Sequence, residues 1–350
     1  MNKWRARQGG VLGAWGRHRG LRCSAPGMPV DRSCSSSQVG LSCPVILEGV
    51  LVSLFRRSLV LVVLLGLIWL PTGASAKDPQ RVPKRLSSVG DSITEAINAE
   101  EFNPFVIITP NHWASWSNGF RGFWEWLLGR TNVSSHNQRI SSHFGRRNRK
   151  NFMEAVSGAD SFDLGPQMTA SVSHAADYVT VFMGHNDVCQ DSFSDIPTDA
   201  EFEANVRAGF EALRAGLPNG ATVYTLGIVD IYKLWQLGPQ LSGLLGVSCE
   251  VVWATTLLGV FPCGTMLNPL NSEADRQFTR SRNVAFNQIL EDLVAEFQAN
   301  DPHHHWQFSD TAFEGGFVPS EVSPFDCFHP SAAGQKRLAR DSWQAGPFGN

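Results

Sequence analysis

Arg85-Leu86-Ser87-Ser88-Val89-Gly90-Asp91-Ser92-Ile93-Thr94 is a short strand-like run that stops on a glycine and two small polar residues. The run is too short for a helix, and Gly-Asp-Ser reads as a turn at its end. The same punctuation recurs downstream. Residues 152–156 lead into Ser157-Gly158-Ala159, and residues 178–183 lead into Gly184-His185-Asn186-Asp187. Further strands are predicted at 221–229 and 306–308. Helical patterns separate them. Residues 200–217 carry apolar and small positions at helical spacing and end at Pro218-Asn219-Gly220. Residues 273–299 follow Ser272 with Asp275 three positions on, a capping-box pattern. Phe286, Ile289, Leu290, Leu293 and Phe297 form one stripe there, as expected of a helix packed on a core. A last helix is predicted over 331–345. Strands alternating with helices give an α/β fold with a parallel sheet and crossover helices. In such sheets ligands bind beyond the carboxyl ends of the strands, where these polar clusters stand.

The first 76 residues are of a different kind. Arg56-Arg57, an apolar run over 59–70 and Pro71-Thr72-Gly73-Ala74-Ser75-Ala76 give a basic region, a short apolar core and an Ala-x-Ala end. That is the pattern of a secretory signal peptide, and the apolar run falls short of the roughly 20 residues that span a bilayer. Residues 1–50 show no apolar periodicity, so they are expected to be unstructured or untranslated, with Met28 the next start. Cleavage near Ala76 leaves residues 77–350 as one domain, secreted, periplasmic or held at the cell surface. The full chain carries a formal charge of −3, but residues 77–350 hold 20 Lys and Arg against 30 Asp and Glu, a net of −10. An acidic chain argues against nucleic acid as a partner. Four cysteines remain: Cys189, Cys249, Cys263 and Cys327. In an exported chain they point to disulfides, with three connectivities open. Cys249 and Cys263 flank one loop and are expected to pair, which leaves Cys189 for Cys327. No Cys-x-x-Cys is present.

The chemistry concentrates in four blocks. A serine hydroxyl is a poor nucleophile until a base takes its proton. Ser92 sits where a strand turns, and by itself would read as an N-cap. Asp326-Cys327-Phe328-His329 supplies the base, with a carboxylate three residues before the imidazole, close enough for a local turn to orient it. Asn186 can donate its amide, and Gly158 and Ser92 their backbone N–H groups, to a developing oxyanion. Nucleophile, base, orienting acid and oxyanion donors together point to ester cleavage without metal or cofactor. Asp91 and Asp187 read as structural acids that bind loop amides. His303-His304-His305 reads as a solvated turn and Arg146–Lys150 as a solvated loop. Gly-x-Ser-x-Gly and His-Glu-x-x-His are absent.

In this order and composition the four blocks resemble the SGNH (GDSL) hydrolase superfamily, over most of the chain after residue 85. The Asn-Asp-Val-Cys and Asp-Cys-Phe-His forms are most similar to its phospholipase B-like branch. The resemblance implies a flavodoxin-like three-layer α/β/α fold with a mostly parallel five-stranded sheet. It implies Ser92 as nucleophile, Asp326 and His329 as its triad partners, and Ser92, Gly158 and Asn186 as the oxyanion hole. His185 departs from the smaller residue usual at its position and is expected to narrow the pocket. Residues 231–267 form an apolar insertion outside the shared blocks and read equally as an acyl-pocket wall or an ordinary subdomain. A second apolar segment, 113–128, carries Trp113, Trp116, Phe120, Phe123, Trp124 and Trp126. The reading is an exported esterase or lipase acting as a monomer on lipid or long acyl esters, with transient contact to a membrane surface. The alternatives are an acetyl esterase of carbohydrates or small molecules, and a cell-surface binding protein that kept the fold and lost catalysis.

Overall fold

The computed structural model describes residues 76–100, 109–254 and 263–349. Its sheet has five strands, β1 (Arg85–Gly90), β2 (Lys150–Met153), β3 (Tyr178–Phe182), β4 (Thr222–Leu226) and β5 (His305–Ser309). They lie in the order β2-β1-β3-β4-β5, and every pairing is parallel. Helices α1 (Phe123–Leu127), α2 (His136–Phe144), α3 (Leu164–Ser173), α4 (Asp199–Gly216), α5 (Glu273–Asn300) and α6 (Ala332–Ala345) make up most of the rest. The chain leaves β1 for one side of the sheet and returns to the other, so the strand order switches between β1 and β3. A crevice opens at such a point beyond the strands' carboxyl ends.

Alternation along the strands builds two cores. Val179, Val181 and Val223 face Leu164, Phe210 and Phe286 of α3, α4 and α5. Tyr178, Phe182 and Tyr224 face Ile140, Leu338 and Trp343 of α2 and α6. A sheet covered on both faces gives the expected three layers. The long helices begin where the sequence marks them: Ser272 and Asp275 cap α5 reciprocally, as Thr198 and Glu201 cap α4. Each such cap contributes about 1 kcal/mol. Buried hydroxyls of β1 are partnered, Ser87 with Ser171 at 2.7 Å and Ser88 with Ser117 at 2.8 Å. His136, buried between the Tyr178 hydroxyl and Ser342, is pushed down to about 3 by burial and by Arg139, and is therefore neutral.

Three expectations need correction. Strand β2 is Lys150–Met153, earlier than the apolar run 152–156 placed it. Lys150 and Asn151 lie at the sheet edge, where no apolar alternation marks a strand; the backbone then leaves the ladder, with Glu154 and Ala155 both donating to the Ser88 carbonyl. His304 is no solvated turn residue. It is buried, with Nδ1 2.8 Å from Asp301 and Nε2 3.1 Å from the Leu217 carbonyl, and His305 opens β5.

The third concerns the disulfides, which join Cys189 to Cys263 and Cys249 to Cys327. Closeness in sequence misled. The backbone after Cys263 lies against the Asn186 segment, where Thr265 donates to the Gln190 and Val188 carbonyls. Cys249 instead opens a short helix (Cys249–Ala254) whose Trp253 donates its indole N–H to the Cys327 carbonyl at 3.0 Å. Of the 231–267 stretch, Leu241, Trp253, Met266 and Leu267 enter the core, while Leu244, Leu245, Val247 and Val251 stay exposed. The expected signal peptide falls on residues outside those described, apart from Ala76. Among the described residues no helix is long and apolar enough to cross a membrane.

Candidate active site

The last residue of β1 is glycine because a side chain there would not fit: a Cβ would run into the Thr94 hydroxyl and lie 2.7 Å from the Phe182 carbonyl. The Gln167 amide clamps the strand end from the side, accepting from the Gly90 N–H at 2.8 Å and donating to its carbonyl at 3.0 Å. The next turn presents Ser92. Its hydroxyl lies 2.8 Å from His329 Nε2, and His329 Nδ1 lies 2.7 Å from Asp326 Oδ2. Residues 237 positions apart thus meet in one hydrogen-bonded series.

The loop carrying the base is built on Asp326. Its Oδ1 accepts the backbone N–H groups of Phe328 (2.9 Å) and His329 (3.0 Å), winding the chain into a tight turn with Cys327 at φ +57°. Its Oδ2 accepts from Asn98 at 2.8 Å as well as facing the imidazole. Burial alone would raise the Asp326 carboxyl; the charge of His329 and the hydrogen bonds from His329, Asn98 and Phe328 outweigh it and hold the group below the usual carboxylate range. The acid therefore stays ionised and buried, as an acid that orients an imidazole must.

Gly158 and Asn186 belong to segments joined to the Ser92 turn and to each other, the Val156 N–H donating to the Gly90 carbonyl at 3.1 Å. Gly158 has φ +81°, with nothing within 4 Å of where a Cβ would stand. Neither its N–H nor that of Ser92 has an acceptor among the described residues. Asn186 lies in the helical turn His185–Val188 and gives one amide hydrogen to the Ala159 carbonyl at 2.7 Å. The loop holding Gly158 is tied down twice. The Ser157 N–H donates to Glu95 at 2.6 Å, in the turn after Ser92. The Ser161 N–H and hydroxyl donate to Asp187 at 2.9 and 2.6 Å, next to Asn186.

His185 does not narrow a pocket. It is buried beneath the site, with Nδ1 2.7 Å from Asp91 Oδ2, and its Nε2 accepts the Val229 N–H at 3.2 Å. Asp91 also accepts from the Ile93 N–H at 2.9 Å, so both acids flanking the site bind loop amides. Sequence reasoning missed Asn98, Glu95, Gln167 and Ser161. None sits at the end of a strand, and only Glu95 adjoins a block. The one signal available was that a buried carboxylate beside a histidine has more acceptor sites than the histidine fills.

Two consequences can be measured. Asn98→Ala removes one donor from Asp326 and is expected to lower kcat by about 10–100-fold with little change in KM, as partners of a catalytic group do. Asp187 is pushed up to about 7 by burial, with Asp160 adding to the rise and the Ser161 hydrogen bonds opposing it. A raised carboxyl binds its proton more tightly folded than unfolded. Its contribution is present below the unfolded value of 3.8 and is lost as pH rises to about 7. Asp187→Asn cannot ionise, so its stability relative to the unmutated protein should rise by about 2–3 kcal/mol between pH 5 and pH 8 in urea unfolding. A difference independent of pH would show that Asp187 is ionised throughout.

The sequence model of the GDSL-like Lipase/Acylhydrolase family matches residues 88–337. The chain belongs to this family. The match takes in all four blocks of the site, Ser92 through His329. Among curated proteins the chain is 27% identical over 213 residues to acyloxyacyl hydrolase of Mus musculus, covering 57% of this chain and 35% of that protein. It therefore spans about a third of the length of the curated relative it matches. Among solved structures it is similar to LAE5, an alpha/beta hydrolase enzyme from the metagenome of Lake Arreo, Spain (16% identity, TM-score 0.43, covering 76% of this chain and 96% of that one). It is similar also to an extracellular lipase from Streptomyces rimosus (16%, TM-score 0.42, 75% and 100%). A family 3 carbohydrate esterase of Clostridium thermocellum matches at 13% and TM-score 0.36, over 75% and 94%.

Proposed function

We propose that this family member is an exported serine esterase that cleaves carboxylic esters of long acyl chains through an acyl-enzyme. The observation that carries the reading is the series Ser92–His329–Asp326, with contacts of 2.8 and 2.7 Å. His329 Nε2 takes the proton as the Ser92 oxygen attacks the ester carbonyl. The oxyanion is held by the N–H groups of Ser92 and Gly158 and by the second amide hydrogen of Asn186, donors fixed before the charge develops. The carbon–oxygen bond to the alcohol breaks, and His329 gives its proton to the departing oxygen. Water then attacks the acyl-enzyme by the same path and releases the acid and free Ser92.

Preference for a long acyl chain is supported by the insertion. Leu244, Leu245, Val247 and Val251 are exposed, Gly243 packs against the Cys327 sulfur, and Cys327 stands two residues before His329. An apolar surface tethered beside the base suits a hydrocarbon chain. Export is supported by the two disulfides, which form and persist in oxidising compartments.

A p-nitrophenyl ester series tests the substrate class. Octanoate should exceed acetate in kcat/KM by at least ~10-fold, since each buried methylene adds about 0.8 kcal/mol. Preference for acetate would turn the reading to an acetyl esterase. Failure of a fluorophosphonate to label Ser92 would leave a binding protein on an esterase fold.

A further inference from the structure

The segment 120–150 departs in two ways from the rest of the protein. The first is apolar exposure. No residue of α1 is buried; Trp124 is 67% and Trp126 60% exposed, and Phe123, Leu127 and Leu128 stand out beside them. The Trp residues of the cores, such as Trp116 and Trp343, are buried. The helix itself is formed, with Trp126 donating to the Gly122 carbonyl and Leu128 to that of Trp124. Phe123 packs its ring edge-on to Trp124 at 5.4 Å, so the aromatic rings cluster with one another outside the core. A patch of this kind on a folded helix marks an interaction site.

The second is charge. Residues 120–150 hold seven Lys and Arg and a single acidic residue, Glu125, in a chain whose residues 77–350 are net acidic. Three of these cations gather next to the apolar helix. Arg121, Arg139 and Arg146 line an open recess of about 320 Å³ together with Phe120, Ser134 and His143. The Arg146 guanidinium lies over the Phe120 ring at 5.8 Å. Among the described residues none of the three forms an ion pair with a carboxylate, and the Nε of Arg121 is buried without a hydrogen-bond partner. Burial and the nearby charge of Arg340 both work against the charge of Arg139, and among the described residues no carboxylate pairs with it.

Exposed Trp, Phe and Leu side by side with unpaired Arg match the interface of a bilayer. Aromatic rings settle at headgroup level, apolar side chains enter the acyl boundary, and guanidinium groups meet anionic headgroups. We propose that α1 and the Arg121–Arg139–Arg146 recess form a docking surface for anionic lipid bilayers. The surface connects to the site described above: Thr131, four residues beyond α1, donates its N–H and hydroxyl to Glu100, and Asn98, two residues before Glu100, donates to Asp326. The proposal goes beyond the esterase reading, and its test is independent of catalysis.

The test uses the full chain carrying Ser92→Ala, with amide hydrogen exchange followed in solution and with vesicles of phosphatidylcholine, alone or mixed with phosphatidylserine. The mixed vesicles should protect residues 120–130, whatever residues 1–75 contribute. Adding Arg121→Gln, Arg139→Gln and Arg146→Gln should weaken binding to the mixed vesicles on the order of 10²-fold, since each cation near such a surface adds about a factor of five. Adding Trp124→Ser and Trp126→Ser should weaken it at least ~10-fold. These positions lie outside the cores, and unchanged thermal unfolding of the variants verifies that the fold is kept. No protection of 120–130, or equal protection by vesicles without phosphatidylserine, would overturn the proposal. So would protection that appears without vesicles and grows with protein concentration, which would assign the surface to a second copy of the chain.

Discussion

Ser92→Ala is expected to lower kcat on p-nitrophenyl butyrate by at least ~10⁴-fold and to leave thermal unfolding nearly unchanged. The size follows from what the hydroxyl does. In the mechanism proposed above no acyl-enzyme would form without it, and only oxyanion stabilisation and positioning of water would remain, a residue of catalysis far below that of an intact triad. The structural cost is small because, among the described residues, the Ser92 hydroxyl is hydrogen-bonded to His329 alone, and that imidazole keeps Asp326. Steady-state and burst kinetics on purified protein give the answer. Retention of more than a few per cent of the activity would transfer the nucleophile's role to another residue.

Asp326→Asn should cost about 10⁴-fold in kcat, the loss expected when an imidazole is left in the wrong tautomer. Here the change also disturbs the loop. Four donors converge on the carboxylate: two backbone N–H groups on Oδ1, and Asn98 with the His329 ring on Oδ2. An amide has one oxygen. Whichever way it turns, its NH₂ faces two donors, and buried donors without acceptors cost about 1–3 kcal/mol each. The variant should therefore unfold at lower urea as well as lose turnover, whereas Ser92→Ala loses turnover alone. Asp326→Asn with normal stability would mean that the amide has found an orientation absent from this structure, and near-normal kcat would remove Asp326 from the triad.

The sequence was most readable where chemistry and topology coincide. Gly90 ends β1, and Gly184 and Gly158 stand two and five residues beyond β3 and β2; their positions were legible because a parallel sheet ends its strands at such turns. The caps of α4 and α5 were legible because their signals are local. The partners that hold the site were not. Asn98 and Gln167 act from 228 and 77 positions away from the groups they bind, and nothing in their neighbourhoods distinguishes them from surface amides. Closeness along the chain gave the wrong disulfides, because the insertion folds back on two different segments. The triple histidine looked like a solvated turn because burial of His304 depends on Asp301 and the Leu217 carbonyl, contacts that exist only once α4 and β5 pack.

The Cys249–Cys327 bridge places one half-cystine inside the turn between Asp326 and His329 and the other in the apolar insertion. Recombinant production is affected directly. Polypeptide made in a reducing cytosol, or purified under dithiothreitol, would present a base loop without its covalent anchor. Poor specific activity from such a preparation would reflect how the sample was made and would not count against the enzyme. Oxidative refolding or a secretory host is the appropriate source for every assay described above.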